Sequence, residues 1–292
     1  MSKVWFITGS SRGLGRSLTE AVLAKGDKVV ATARNPEQLK DLTDKYPEGI
    51  YPIQLDVTRY DQVRRAVADA VAHFGRIDIL VNNAGFGITG AAEAFTDEQV
   101  RSQLDTNLYA PIEVTRAVLP YMRKQHSGHI LQVSSIGGRV GNAGLTMYQA
   151  AKFGLGGFSE ALAREVAPLG IKVTSVEPGG FRTDWAGASM SFAPWVEGYE
   201  TTVDQVAKYL KGDNFVPVGD PEKAAKAMIA LAEHPEPPVH LVLGSEAAAI
   251  LQQANAAREA EFQKWLPVTN STDHDNNAGN FLETGAGKAF LK

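Results

Sequence analysis

Tyr148 and Lys152 lie four residues apart at the start of a stretch with strong helical character that runs to residue 166. On a helix they stack on one face, which sets an ammonium beneath a phenol. A free tyrosine has a pKa of about 10, so roughly one in a thousand is ionised at neutral pH. A cation held close favours the phenolate and moves the pKa toward the working pH, as a general acid or base requires. Ser135 follows a run at residues 128–133 that reads as a buried strand, and its hydroxyl can serve the same oxygen as the tyrosine. The expected chemistry is proton transfer to or from an alcohol or carbonyl oxygen.

The pair alone is a weak signal, because any exposed helix can carry it. A second pattern near residue 9 adds weight. Val4-Trp5-Phe6-Ile7 reads as a strand buried on both faces, followed by Gly9, Ser11, Arg12, Gly13, Leu14 and Gly15, and then by helical spacing to residue 24. Glycines between a strand and a helix let the backbone turn tightly and approach a pyrophosphate, whose charge sits at the helix N-terminus. The second strand is expected at residues 28–33. An acidic residue near its end would bond a ribose 2′-hydroxyl, whereas a cation accommodates a 2′-phosphate. Here Ala33 and Arg34 occupy that place, and Arg12 lies in the glycine loop. NADP(H) is the expected cofactor.

These motifs, with Asn82-Asn83-Ala84-Gly85, Asn107 and Pro178-Gly179, resemble the short-chain dehydrogenase/reductase family over residues 3–243. Carbonyl reductases and hydroxysteroid and retinol dehydrogenases are the nearest in kind. The resemblance implies a catalytic set of Asn107, Ser135, Tyr148 and Lys152, with the lysine also holding the cofactor ribose. It places Asp56 and Val57 at the adenine edge, and Asn83, Ala84 and Gly85 near a ribose, with Asn82 bracing the sheet. Pro178, Gly179, Phe181 and Thr183 correspond to the segment that holds the nicotinamide amide, although Phe181 is larger than usual there. Arg12 and Arg34 match positions that are basic in NADP-preferring members. Residues 185–215 correspond to a mobile substrate lid, and Met190, Phe192, Trp195, Tyr199 and Tyr209 within them suggest an apolar, fairly bulky substrate. Pro111 has no amide hydrogen, so the Asn107 carbonyl four residues earlier loses its helical donor. In the family a water there links the asparagine to the lysine.

Among 292 residues, 44% hydrophobic and 21% charged content describes an ordinary globule with a large core. A net charge of −4 gives no reason to expect nucleic acid or an anionic membrane as partner. No cysteine is present, which removes disulfides, thiolate nucleophiles and zinc–thiolate sites, and the six histidines show no metal-ligand spacing. Asn270-Ser271-Thr272 fits a glycosylation sequon, but nothing routes the chain to secretion, so a cytoplasmic location is expected.

Strand and helix patterns alternate. They predict one doubly wound α/β (Rossmann) domain over residues 1–244, with seven parallel strands and helices on both faces. Strands are expected at 4–7, 28–33, 53–55, 77–81, 128–133, 171–176 and 239–243, and a long helix at 96–124. Residues 245–292 are expected to add a helix over 246–265 and a loosely packed tail from residue 270. The reaction expected is hydride transfer between NADP(H) and a ketone or secondary alcohol, in a monomer or a homodimer formed through the helices carrying Asn107 and Tyr148. The rival is a sensor that binds NADP(H) without turnover.

Overall fold

Trp5 and Ile7 point to one side of a fully buried strand and Phe6 to the other, and the layering follows from that alternation. In the computed structural model, residues 2–183, 185, 187, 189–212, 216–274 and 280–290 are described. The strand is β1 (Val4–Ile7), joined by α1 (Gly13–Ala24) to β2 (Lys28–Ala33) and by α2 (Lys40–Lys45) to β3 (Ile50–Gln54). The chain then crosses through α3 (Tyr60–Phe74) to β4 (Ile79–Asn82), on the opposite side of β1 from β2. After a short β5 (Gly87–Thr89) come α4 (Asp97–Leu104), α5 (Ala110–Gln125) and β6 (Gly128–Val133). Next follow α6 (Thr146–Val166), β7 (Ile171–Pro178), a short β8 (Met190–Phe192), α7 (Val203–Lys211), α8 (Pro221–Glu233) and β9 (His240–Leu243).

Seven strands form one parallel sheet in the order β3-β2-β1-β4-β6-β7-β9. The order reverses between β1 and β4, and a crevice opens beyond the C-terminal ends of strands at such a point. The Trp5 face packs on α1 and α8 through Leu18, Val22, Met228 and Leu231. The Phe6 face packs on α3, α5 and α6 through Val63, Val67, Val114, Val118 and Leu162. Strand β3 starts earlier than residue 53 and includes Pro52. It is an edge strand, where a residue without an amide hydrogen is tolerated.

The single helix expected over 96–124 is not what forms. Between α4 and α5, residues Asp105–Tyr109 make a π-helical turn, in which the Ala110 amide reaches back to the Asp105 carbonyl. Pro111 stands at the first turn of α5 and cannot donate to Asn107 as an α-helical ladder requires, so the ladder changes register there.

By contact the chain divides into two compact units, Met1–Leu251 and Gln252–Lys292. Helix α9 (Ser245–Asn270) extends beyond the expected 246–265 and carries Pro267 inside it. The described part of the tail contains a 3-10 turn (Phe281–Glu283) and α10 (Gly285–Phe290). Of the expected tail, residues 275–279 and 291–292 lie outside the described residues.

The sheet also buries an imidazole. His129 in β6 is only 4% exposed, and its Nε2 lies 3.0 Å from the Thr174 hydroxyl. That hydroxyl donates to the Pro238 carbonyl, so Nε2 must carry the proton, leaving buried Nδ1 without a partner among the described residues. Burial, with Lys172 and Lys3 nearby, lowers the His129 pKa to about 3. An unfolded histidine titrates near 6.5, so the unfolded chain binds more protons between those values. The associated stability is therefore complete above pH of about 6.5 and lost as pH falls toward 3, with a slope approaching about 1.4 kcal/mol per unit. Urea midpoints of wild type and His129→Gln at pH 7.5 and 5.0 check this. The variant should lose less stability over that interval; equal losses would rule the effect out.

Candidate active site

The site begins where the two turns at the switch point hold each other. The Thr8 hydroxyl, just past β1, accepts the amide hydrogens of Asn83 and Ala84 at 2.9 and 3.0 Å. The Asn83 side chain donates back to the carbonyls of Thr8 and Gly9, at 3.0 and 3.1 Å. Gly15 lies against this knot, and a Cβ there would collide with the Gly9 carbonyl oxygen and the Asn83 amide. Its absence lets α1 start close behind the turn. Gly9 and Gly13 have φ of 70° and 57°, the left-handed region that glycine adopts without strain. Asn82 braces the sheet by donating to the Pro111 carbonyl, the Thr115 hydroxyl and Gln132.

A cavity of about 510 Å³ opens over these turns. Gly9, Ser11, Arg12, Gly13, Leu14, Asn83, Ala84 and Gly85 line its floor. At one end it meets Ala33, Arg34, Leu55, Asp56 and Val57. Arg12 and Arg34 are both exposed there, and neither side chain has a partner among the described residues. Arg16, one turn along α1, is by contrast engaged with Glu20 and Asp41. The Asp56 carboxylate accepts the amide and hydroxyl of Thr58, which fixes its orientation at the cavity wall.

At the other end are Ser135, Tyr148 and Lys152. Helix α6 starts at Thr146, so the tyrosine and lysine share its face, and both are buried at 6% and 5% exposure. The Ser135 hydroxyl accepts the Gly137 amide at 2.9 Å and faces Tyr148. The Lys152 ammonium donates to the Val133 carbonyl at 2.8 Å and lies 5.8 Å from the centre of the Tyr148 ring. The Tyr148 pKa moves opposite to the direction expected from spacing. Burial pushes the phenol up to about 12, with the Ser135 hydrogen bond opposing in part, and burial lowers Lys152 to about 8. Desolvation of the phenolate decides the direction. At neutral pH Tyr148 is a phenol with its proton, the form that can donate to an oxygen gaining negative charge.

Asn107 is fully buried in the π turn and does not reach the cavity wall. Its amide donates to the Phe86 carbonyl at 2.7 Å and its Oδ1 accepts the Phe86 amide at 3.2 Å. Gln103, also fully buried, donates to the same carbonyl and accepts the Ile88 amide. Together they fix the backbone of Phe86, which lines the cavity beside Thr106.

The end of β7 and the segment after it close the site. Pro178, Gly179, Gly180 and Phe181 line it, and the Gly180 amide donates to Glu246. Phe181 pairs with Gly219 and packs over it, which accounts for a large residue at this place. Thr183 lies over Gly13, 3.7 Å from where a Cβ would stand. Trp185 meets Tyr148 edge-on, with ring centroids 5.5 Å apart. Residues Met190–Phe192 pair in parallel with Gly87–Thr89, so β8 and β5 form a second, two-stranded sheet. Within the expected lid, residues 186, 188 and 213–215 lie outside the described residues.

All the expected catalytic and cofactor residues line the cavity except Gly15 and Asn107, which support its walls from behind; of the large lid residues expected to face the substrate, Met190 lines it, whereas Phe192, Trp195, Tyr199 and Tyr209 do not. Reasoning from sequence missed Phe86, Thr106, Ser134, Gly180, Ser189 and Ser191. Phe86, Ser134 and Gly180 adjoin recognised motifs, whereas Ser189 and Ser191 carry no sequence signal of their own.

Comparison with known proteins gives the family. Residues 3–192 match the family described as short chain dehydrogenase. The chain belongs to the short-chain dehydrogenase/reductase family. It is an oxidoreductase of that family, 47% identical over 270 residues to oxidoreductase BOA17 of Botryotinia fuckeliana, covering 92% of this chain and 98% of that protein. A crystal structure of a short-chain dehydrogenase from Streptomyces avermitilis superimposes with a TM-score of 0.89 at 39% identity, covering 94% of this chain and 100% of that one. A Burkholderia cenocepacia short-chain dehydrogenase solved in complex with NADP has a TM-score of 0.71 at 28% identity, over 91% of this chain and 98% of its own.

Proposed function

We propose that the protein is an NADP(H)-dependent reductase or dehydrogenase acting on a ketone or secondary alcohol of an apolar, fairly bulky substrate. The observation that carries this is one cavity with two unpartnered arginines at one end and a buried, protonated tyrosine beside a serine and a lysine at the other. The residues fit the cofactor. The glycine turn and the start of α1 suit a pyrophosphate, Arg12 and Arg34 a 2′-phosphate, Asp56 and Val57 the adenine edge, and Pro178 to Thr183 the nicotinamide end. When bound, NADPH supplies the hydride.

The protein's own groups handle the oxygen. Ser135 orients the carbonyl, and Tyr148 gives it a proton as negative charge develops. Lys152 holds the cofactor ribose and supplies positive charge behind the phenol. Asn107 acts through Phe86, whose backbone it fixes. At the Tyr148 end the wall is Phe86, Thr106, Trp185, Ser189, Met190 and Ser191, and among the described lining residues only Lys152 is charged there. That wall suits a neutral substrate whose apolar part packs on Phe86, Trp185 and Met190. Residues 1–244 carry cofactor binding and catalysis in this reading, with 185–215 facing the substrate and 245–292 as an appendage.

The test is a screen of ketones followed by NADPH absorbance. Oxidation of NADPH with at least one bulky apolar ketone is expected. Cofactor binding with no turnover across the panel would replace the enzyme by a nucleotide sensor. A homodimer is part of the same proposal. Tyr109, two residues after Asn107, and Phe153, next to Lys152, are 49% and 43% exposed, which a partner's matching face would cover. Sedimentation of a monomer at micromolar concentration would remove that element.

A further inference from the structure

Glu177 is a carboxylate buried to 1% exposure near the end of β7, a strand buried along most of its length. Burying a charge there costs more than burying an apolar side chain of the same size, so its partners must compensate. They do so with both oxygens. Oε1 accepts from the Ser175 hydroxyl at 3.1 Å and from His240 Nδ1 at 2.6 Å, and Oε2 lies 3.1 Å from Arg139 Nη1. The His240 Nε2 faces Glu160 at 3.8 Å. Each partner comes from a different place. Arg139 ends the turn that begins at Ser135, and His240 opens β9 opposite Ser175. Glu177 itself immediately precedes Pro178, which lines the cavity. None of Arg139, Glu177 and His240 lines the cavity.

We infer that the Glu177–Arg139 ion pair, anchored by His240, sets the position of the Ser135 turn relative to the Pro178–Gly179 segment. It thereby sets the alignment of the carbonyl held by Ser135 with the nicotinamide end of the site. These are positioning residues, and the inference rests on the function proposed above. The Ser135 turn packs on α6, where a Cβ at Gly138 would meet the Lys152 carbonyl oxygen at 2.8 Å, and the ion pair adds a tie from the turn to β7. Ser134 donates to the Val176 carbonyl, but beyond it the serine side chain rides on a single 3-10 turn. Arg139 Nη1, 3.1 and 3.4 Å from the two carboxylate oxygens, supplies a charge-assisted tie across the gap.

The experiment uses full-length wild type, Arg139→Gln, Arg139→Lys and Glu177→Gln. Turnover, NADPH dissociation constant, melting temperature and emission of bound NADPH, which comes from its reduced nicotinamide, are read on each. Misplacement of reacting groups by a fraction of an ångström lowers turnover steeply, so Arg139→Gln and Glu177→Gln should each lose roughly tenfold or more in kcat. The dissociation constant should stay within about threefold, because the pyrophosphate and adenine contacts lie elsewhere. Bound NADPH should emit at a shifted wavelength, and Arg139→Lys should recover most of the lost turnover. A lower melting temperature with wild-type kcat and emission would make the pair a folding element only and overturn the inference. If Arg139→Gln does not fold, Glu177→Gln is read in its place, and wild-type kcat and emission in it would overturn the inference equally. If wild type binds NADPH yet reduces nothing, the proposed function fails, while the emission comparison still decides this point.

Discussion

Replacing Tyr148 with phenylalanine is expected to lower turnover by at least about a hundredfold, since general acid–base catalysis contributes ~10²–10⁴-fold. The substitution removes one oxygen from a side chain packed on Trp185 and buried at 6% exposure, so the ring and its contacts should survive. Cofactor affinity should change little, because the glycine turn, Arg12 and Arg34 are untouched. The high pKa of the phenol sharpens the expectation. With burial pushing it up to about 12, Tyr148 holds its proton across the whole working range. The proton needed for carbonyl reduction is therefore present in wild type and missing in the variant. Steady-state kinetics with any ketone found by screening gives the ratio. Turnover within a few-fold of wild type would mean that another group supplies the proton.

Cofactor choice should follow the two arginines. Hydrogen bonds to charged groups contribute ~1.5–3 kcal/mol each, so NADPH should bind tighter than NADH by about tenfold or more. The preference should shrink at high salt, because both guanidiniums are exposed. Changing Arg12 and Arg34 together to alanine should weaken NADPH while leaving NADH within a few-fold, since no other described side chain depends on them. Calorimetric titration of both cofactors against both proteins measures the difference. Equal affinities in wild type at low salt would exclude a 2′-phosphate contact at Arg12 and Arg34.

Much of the framework is legible in the sequence because it depends on short-range rules. Strand and helix alternation predicts the parallel sheet, and glycines between β1 and α1 mark the switch point. Tyr148 and Lys152 share a face because helical spacing is local. Other features depend on contacts between distant segments. Pro111 announces a break near Asn107, but only the fold shows that the break is a π turn aiming Asn107 and Gln103 at the same carbonyl. Strands of three residues, such as β5 and β8, are too short to show a period. The direction of the Tyr148 shift is set by burial against the Ser135 hydrogen bond, and the four-residue spacing to Lys152 reports neither. Glu177 stands out in sequence only as an acid before Pro178; its partners lie 38 and 63 residues away.

The pairing of β5 with β8 bears on how substrate range could be exchanged between relatives. The backbone of residues 86–88 is held on one side by Gln103 and Asn107, and residues 87–89 pair on the other with 190–192. Gly87 also leaves room for Met190 and Trp185, since a Cβ there would come within 2.8 Å of the Met190 methyl and 3.2 Å of the Trp185 ring. The wall proposed to meet the substrate is therefore one module encoded in three separated pieces of the chain. A graft of residues 185–215 from a homologue would bring a new partner to an old strand, and its side chains would meet a glycine placed for different ones. Chimeras that carry residues 86–89 and 103–107 along with the graft keep the ladder and its backing intact, and recombination breakpoints inside any of the three pieces split the module.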